Sequence, residues 1–303
     1  MAPYYILSMD GGGIRGIMTA IFLQRLEAQQ PGLLSHFDLF AGTSTGGLLA
    51  LGLAAGLSPE ALRKLYQDSG VKVFADTVLD DVRDLGKLVG ADYSLGPIKQ
   101  ALTEQFASRR LDSLNRKVLI ASFDLDNEDP DTTTRTWKAK FFHNFPGRES
   151  DGEQTIVDVA LRTANAPTYF PIYQGYVDGG VVANNPAVCA LAQALNADTG
   201  GQRLQDIILL SIGTGYNPRY VSSKDGDWGL VQWAPHLIHL VMEGGSNLAH
   251  YQCRQLLGRQ YHRINIQLPG SIGMDRIDQI SLLEELALQA DLTMTQAWVR
   301  EFF

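Results

Sequence analysis

The stretch Phe37-Asp38-Leu39-Phe40-Ala41-Gly42-Thr43-Ser44-Thr45-Gly46-Gly47 decides the fold of this chain. An apolar, strand-like run breaks at Gly42, presents one hydroxyl and passes directly into a helix-like run from Gly47 to Ala55. The segment Gly42-Thr43-Ser44-Thr45-Gly46 fits G-x-S-x-G, the strand-to-helix elbow that lifts a nucleophilic serine above a sheet. The flanking glycines have a steric purpose. The turn strains the serine backbone, and a side chain on either flank would collide with the incoming strand or the outgoing helix. The helix N-terminus behind the serine favours negative charge, which suits an oxyanion developing there.

Working outward, Tyr4 to Met9 reads as a short buried strand that meets Asp10-Gly11-Gly12-Gly13-Ile14-Arg15-Gly16 and then a helix ending at Pro31-Gly32. Beyond the elbow, Ser58, Pro59 and Glu60 announce a helix as N-cap, first residue and first-turn acid. From Asp76 to Gly96 the pattern weakens into an irregular helical connector or a lid-like insert. Strands are expected over Lys117–Leu125, Arg135–Phe142, Gln174–Val177, Asp206–Ile212 and Tyr261–Leu268. Helices are expected over Thr155–Ala166, Ala187–Ala197 and Ser281–Phe303. Strands alternating with helices predict an α/β fold: a three-layer α/β/α sandwich around a mostly parallel central sheet. No internal repeat, linker or composition shift marks a boundary, so one domain over residues 1–303 is expected, its core in about 4–215.

The 303 residues can bury a large core, and 45% hydrophobic with 19% charged residues is ordinary for a soluble globular protein. Twenty-five basic against 33 acidic residues leave a net charge of −8, so no global basic field draws in nucleic acid or an anionic membrane. Cys189 and Cys253 show neither metal-ligand spacing nor a disulfide framework. No signal peptide and no apolar run of membrane-spanning length is seen, and a cytoplasmic location is expected. Asp124 to Asp131 is rich in acids but fails the calcium-loop template, with Asp129 at the glycine position and Arg135 at the final glutamate position. An acidic hairpin turn is expected instead, and no metal.

The loop Gly11-Gly12-Gly13-Ile14-Arg15-Gly16 also matches the dinucleotide fingerprint G-x-G-x-x-G after a strand. That reading lacks the ribose-binding acid at the end of the second strand, and Asp10 would crowd a pyrophosphate with like charge. The other use of such a loop is an oxyanion hole, in which backbone N–H groups meet the negative charge of acyl transfer without reorganising. The N–H groups of Gly12 and Gly13, with that of Thr45, are the candidates; Arg15 is free to anchor the loop or to meet a phosphate, and reads equally as a surface arginine that caps nothing. A serine hydroxyl needs a base. None of His36, His143, His236, His239, His250 and His262 has the context of a triad histidine. Asp178 does, at the end of a short strand and before Gly179-Gly180, although taken alone that motif reads as a plain turn. A carboxylate serves as base when desolvated and bonded directly to the hydroxyl.

Taken together, Asp10-Gly-Gly-Gly-Ile-Arg-Gly16, Gly42-Thr-Ser-Thr-Gly46 and Asp178-Gly-Gly180 resemble the patatin-like phospholipase family. Ala164-Asn-Ala-Pro-Thr-Tyr-Phe-Pro171 and Ser211-Ile-Gly-Thr-Gly215 are similar to its intervening and following segments. The resemblance implies a serine lipid acyl hydrolase that uses a Ser-Asp dyad and needs no cofactor. By position, Ser44 would be the nucleophile and Asp178 the base. Gly11, Gly12, Gly13 and Thr45 would form the oxyanion hole, supported by Arg15, Gly42, Gly46 and Gly179. The chain has Asp-Gly-Gly where many members have Asp-Gly-Ala. The expected substrate is a phospholipid or other acyl ester, met in transient contact with a membrane surface. Some members answer to a protein or nucleotide activator. An oxidoreductase using the Gly11 loop, or a non-catalytic storage or effector-binding protein, are the alternatives. The apolar runs Trp228–Val241 and Trp298–Phe303 would serve as core or oligomer contacts, or else as an acyl pocket or membrane interface.

Overall fold

In the computed structural model, residues 2–74, 91–222 and 226–303 are described. A seven-stranded sheet is ordered β4-β3-β2-β1-β6-β7, with β5 pairing β3 off this path. Its strands are β1 (Tyr4–Met9), β2 (Leu39–Thr43), β3 (Lys117–Asp124), β4 (Lys138–His143), β5 (Tyr176–Asp178), β6 (Ile207–Ile212) and β7 (Tyr261–Ile264). The pairs β1–β2, β1–β6, β2–β3 and β6–β7 are parallel; β3–β4 and β3–β5 are antiparallel. The central strands β2 and β6 are buried at every residue, as parallel strands covered on both faces must be.

Side chains alternate across the sheet. Leu7 and Met9 of β1 and Ile208, Leu210 and Ile212 of β6 enter one core, which they share with α1 (Gly16–Gln29), α2 (Thr45–Ala54) and α5 (Ile156–Ala164). That core also takes residues of α3 (Pro59–Phe74), α4 (Gly96–Phe106), α9 (Ile280–Gln289) and α10 (Thr293–Phe302). Ile6, Ile207 and Leu209 point the other way, onto α7 (Ala187–Leu195) and the end of α8 (Leu230–Leu257). The three-layer arrangement expected from the sequence is therefore present.

Local signals act as read. The Ser58 hydroxyl accepts from Ala61 N–H at 3.1 Å. Thr155, expected as the first residue of a helix, instead caps α5 by accepting from Asp158 N–H at 3.1 Å. The acids of the β3–β4 connection form a turn: Asp124, Asp126, Asp129 and Asp131 carboxylates each accept an N–H two residues on, and Arg135 pairs with Asp126. Some boundaries differ. α2 begins at Thr45, directly after the serine, rather than at Gly47. The expected C-terminal helix is two, broken where Asp291 turns its carboxylate to the Thr293 N–H at 2.8 Å. The expected late strand ends at Ile264. The stretch read as a connector or lid-like insert lies outside the described residues as far as position 90. No helix among the described residues is long and apolar enough to cross a membrane.

The C-terminal residues are tied into the sheet. β7 extends it beyond β6, the Tyr5 hydroxyl donates to the Phe302 carbonyl at 2.9 Å, and the Phe303 ring packs against Tyr5 and Phe37. Arg263 of β7 reaches past β6 to Asp10. Its two terminal nitrogens donate to the two carboxylate oxygens at 3.1 and 2.5 Å, and one donates to the Ser211 hydroxyl at 2.6 Å. Asp10 is buried, and the Arg263 side chain is only 9% exposed. Removing one partner strands the other charge in a low-dielectric interior, so Asp10→Ala is expected to lower unfolding free energy by about 3–5 kcal/mol. Denaturant melts of the two proteins check this; coincident curves would contradict it.

Candidate active site

The edge of β3 brings the two halves of the site together. Thr43, the last residue of β2, is in register with Ala121 of β3, and the next β3 residue, Ser122, is in register with Asp178, the last residue of β5. β4 covers the opposite edge of β3 throughout this stretch. β2 thus leaves the sheet at Ser44, and β5 enters antiparallel on the edge it vacates. Gly179 follows at a point where a Cβ would lie 2.3 Å from the Ala121 carbonyl oxygen, so this close approach requires glycine.

Ser44 sits in the elbow with φ 54° and ψ −125°, a region that costs a non-glycine residue about 1–3 kcal/mol and persists only where its surroundings impose it. Those surroundings are specific. Ser44 N–H donates to the Thr163 hydroxyl at 2.8 Å, and that hydroxyl donates in turn to the Ala121 carbonyl. The Thr43 hydroxyl donates to the Ala183 carbonyl at 2.6 Å, which ties the elbow to α6 (Gly180–Ala183), just after Asp178. A Cβ at Gly46 would lie 2.2 Å from the Met9 carbonyl oxygen, so α2 can start against the end of β1 only without a side chain there.

Asp178 is buried, and its Oδ1 accepts from Gly180 N–H at 2.6 Å. Burial raises its pKa to about 6; the Ser44 hydroxyl, which faces it, and the Gly180 N–H draw it back down. Asp178 is therefore desolvated, and it borders the same cavity as Ser44.

The glycine loop lies across the start of α2. Gly11 N–H donates to the Asn184 carbonyl at 3.0 Å and is not available to a substrate, which narrows the expected donor set. The N–H groups of Gly12, Gly13 and Thr45 make no hydrogen bond among the described residues. Gly13 has φ +58°, and the next N–H, of Ile14, donates to the Met274 carbonyl at 2.7 Å, so a C-terminal loop holds the glycine turn in place. Arg15 Nε donates to the Gly12 carbonyl at 3.4 Å, an anchoring contact. Burial pushes its guanidinium down to about 10, against the opposing pull of Glu243, and it stays charged at neutral pH.

A cavity of about 200 Å³ opens at Ser44 and Asp178 and runs between α2, α3, α4 and α5. Leu48, Leu49, Leu62, Leu65, Ile98, Leu102 and Phe106 form its walls. Tyr66 is among its few polar members, and its hydroxyl is bonded to the Thr45 hydroxyl. No histidine lines this cavity among the described residues. His262 bonds the Thr295 hydroxyl at 2.9 Å, His250 the Tyr261 hydroxyl at 3.0 Å, and His236 stacks on Trp228. Thr163, Tyr66, Met274 and Arg263 went unnoticed in the sequence, since each acts through a fold contact rather than a local pattern. Thr163 did lie beside a quoted segment, one residue before Ala164.

The model of the patatin-like phospholipase family matches residues 7–191. The chain is 33% identical to a cGAMP-activated phospholipase of Pseudomonas aeruginosa, over 96% of this chain and 85% of that one. It is 29% identical to patatin-like protein 2 of Arabidopsis thaliana, over 76% of this chain and 65% of that one. A crystal structure of VipD from Legionella pneumophila aligns with a TM-score of 0.47 at 12% identity, over 100% of this chain and 67% of that one.

Because the folded pKa of Asp178 lies above its unfolded value, the ionised carboxylate costs stability; the cost is absent at low pH, grows as pH rises from the ordinary carboxylate range to about 6, and is constant above that. Asp178→Asn keeps an oxygen for Gly180 N–H and cannot ionise. It is expected to be more stable than the parent at pH 8 by about 1–3 kcal/mol, with the gap closing towards pH 4. Thermal melts across that range test this, and a gap independent of pH would contradict it.

Proposed function

The chain belongs to the patatin-like phospholipase family, and from that premise we propose that it cleaves fatty acyl esters of glycerophospholipids through a Ser44–Asp178 dyad. A lipid-ester hydrolase is what the family and its phospholipase-named relatives establish. The observation that carries the finer reading is the Ser44 hydroxyl facing a buried carboxylate whose pKa is raised to about 6.

In this mechanism Asp178 takes the Ser44 proton as the hydroxyl oxygen attacks the acyl carbonyl. The carbonyl oxygen becomes an oxyanion, met by the uncommitted N–H groups of Gly12, Gly13 and Thr45. Collapse of the intermediate expels the glyceryl oxygen, which receives the proton back from Asp178 and leaves an acyl ester on Ser44. Water then attacks that ester as Asp178 accepts its proton, and the released Ser44 oxygen is reprotonated. The acyl chain lies in the apolar cavity along α2 and α4, and the head group stays at the mouth. No step calls for a metal or a redox cofactor. We read residues 1–303 as one catalytic unit, because β7 and the Met274 loop brace the glycine turn from the C-terminal side.

The dinucleotide reading of the Gly11 loop loses its footing. Gly11 N–H is committed to Asn184, and the family is one of hydrolases. The relative from Pseudomonas is named for activation by cGAMP, so the assay here is run with and without that nucleotide. A rate gained on its addition would make this chain a gated hydrolase as well.

Fatty-acid release from phospholipid vesicles is expected to fall by about 1000-fold or more in Ser44→Ala and in Asp178→Asn. A fluorophosphonate probe should add once to the parent and not to Ser44→Ala. The parent's kcat/KM should rise with pH through about 6 and then level, as the base loses its proton. Release surviving both substitutions would refute the dyad.

A further inference from the structure

α8 changes character along its length. Ala249, Cys253 and Leu257 in its second half are buried against the sheet. Its first half has no buried residue among those described: Leu230 is 77% and Val231 85% exposed, and Trp233, Leu237, Ile238, Leu240 and Val241 are exposed as well. Leu230, Trp233, Leu237 and Val241 recur at spacings of three and four, which makes one continuous stripe. From Trp228 to Met242 the sequence contains no Asp, Glu, Lys or Arg. A helix of a soluble protein normally turns such a stripe into the core. An exposed apolar patch of this kind marks an interaction surface.

Its place in the molecule identifies the partner. Ile238 and Met242, one residue along from Leu237 and Val241, line the cavity that contains Ser44 and Asp178, as does the exposed Val181 of α6. The stripe therefore lies on the same turns of α8 as two residues that border the cavity an acyl chain would enter. Trp228 and Trp233 on this segment, with the almost fully exposed Tyr220 just before it, are side chains that favour the boundary between water and hydrocarbon. We propose that the stripe Leu230, Trp233, Leu237 and Val241 is the surface by which this chain docks on a neutral phospholipid bilayer, with α8 lying in the interface and the cavity mouth facing lipid. This rests on the reading of the site as a phospholipid hydrolase.

The chemistry of the face favours a neutral bilayer over an anionic one. The net charge of −8 opposes an anionic surface, and burial, with Arg219 and Arg15 nearby, pushes the His239 imidazole below its ordinary range, so that ring adds no charge at neutral pH. Binding then comes from apolar insertion, which salt does not screen.

The test uses Ser44→Ala protein, which leaves vesicles intact, and phosphatidylcholine vesicles in a flotation assay. Ser44→Ala is expected to float equally in 0.1 and about 0.5 M NaCl, where charge attraction would be screened. Adding Leu230→Asp and Leu237→Asp should weaken its vesicle affinity by about tenfold or more. In the Ser44 parent the same two changes should cut vesicle hydrolysis about tenfold while hydrolysis of a monomeric short-chain ester stays within about twofold, which also reports that the fold is intact. Undiminished flotation of the doubly substituted protein overturns the proposal. Flotation confined to anionic vesicles and lost in salt overturns it too. Light scattering that finds a parent dimer made monomeric by the two aspartates assigns the face to a second copy instead. If Ser44→Ala still released fatty acid, the dyad would fall while flotation continued to report on docking.

Discussion

Every distance at the site descends from one edge of β3, along which β2 runs parallel as far as Thr43 and β5 takes over antiparallel from Asp178. Backbone hydrogen bonding sets the spacing of neighbouring strands to a few tenths of an ångström around 4.8 Å, so two segments far apart in the chain meet at a separation neither could set alone. The same junction explains the burial of Asp178, which has sheet on one side and the elbow on the other. It explains Gly179 as well, since only a residue without a side chain passes so near the Ala121 carbonyl.

What that edge brings together, a small set of hydroxyls holds. Thr163 bonds both the strained Ser44 N–H and the β3 backbone, Thr43 bonds the backbone just after Asp178, and Tyr66 bonds the Thr45 hydroxyl. Each joins a different pair of elements. An elbow in a sparsely populated conformation survives because three neighbouring segments grip it at once, and the glycine turn is gripped likewise by Asn184 and Met274.

The local parts of this design were legible in the sequence. The elbow, the glycine loop, the Asp178 turn and the helix cap at Ser58 each depend on residues a few positions apart, and each folds as its pattern reads. The order of the layers follows from alternating strands and helices. The parts that depend on meetings between distant segments were not legible. Nothing near Arg263 announces that it pairs with Asp10, and nothing near Gly11 says that its N–H is already spoken for by Asn184. The apolar run from Trp228 shows the same limit. Hydropathy alone makes it a natural core helix, and only its placement beside the cavity mouth reveals that its stripe stays outside.

The cavity walls invite a thought about descent. Between Thr43 and Asp178 the chain makes a long excursion, and α3 and α4, which shape much of the cavity at Ser44, both lie within it. Neither helix sets the register that brings serine and aspartate together; β2, β3 and β5 do that through backbone bonds. A lineage can therefore rewrite Leu62, Leu65, Leu102 or Phe106 and reshape the cavity while Ser44 and Asp178 stay where the sheet holds them. The shape of the cavity and the meeting of Ser44 with Asp178 are thus set by separate parts of the molecule, so one can drift while geometry holds the other.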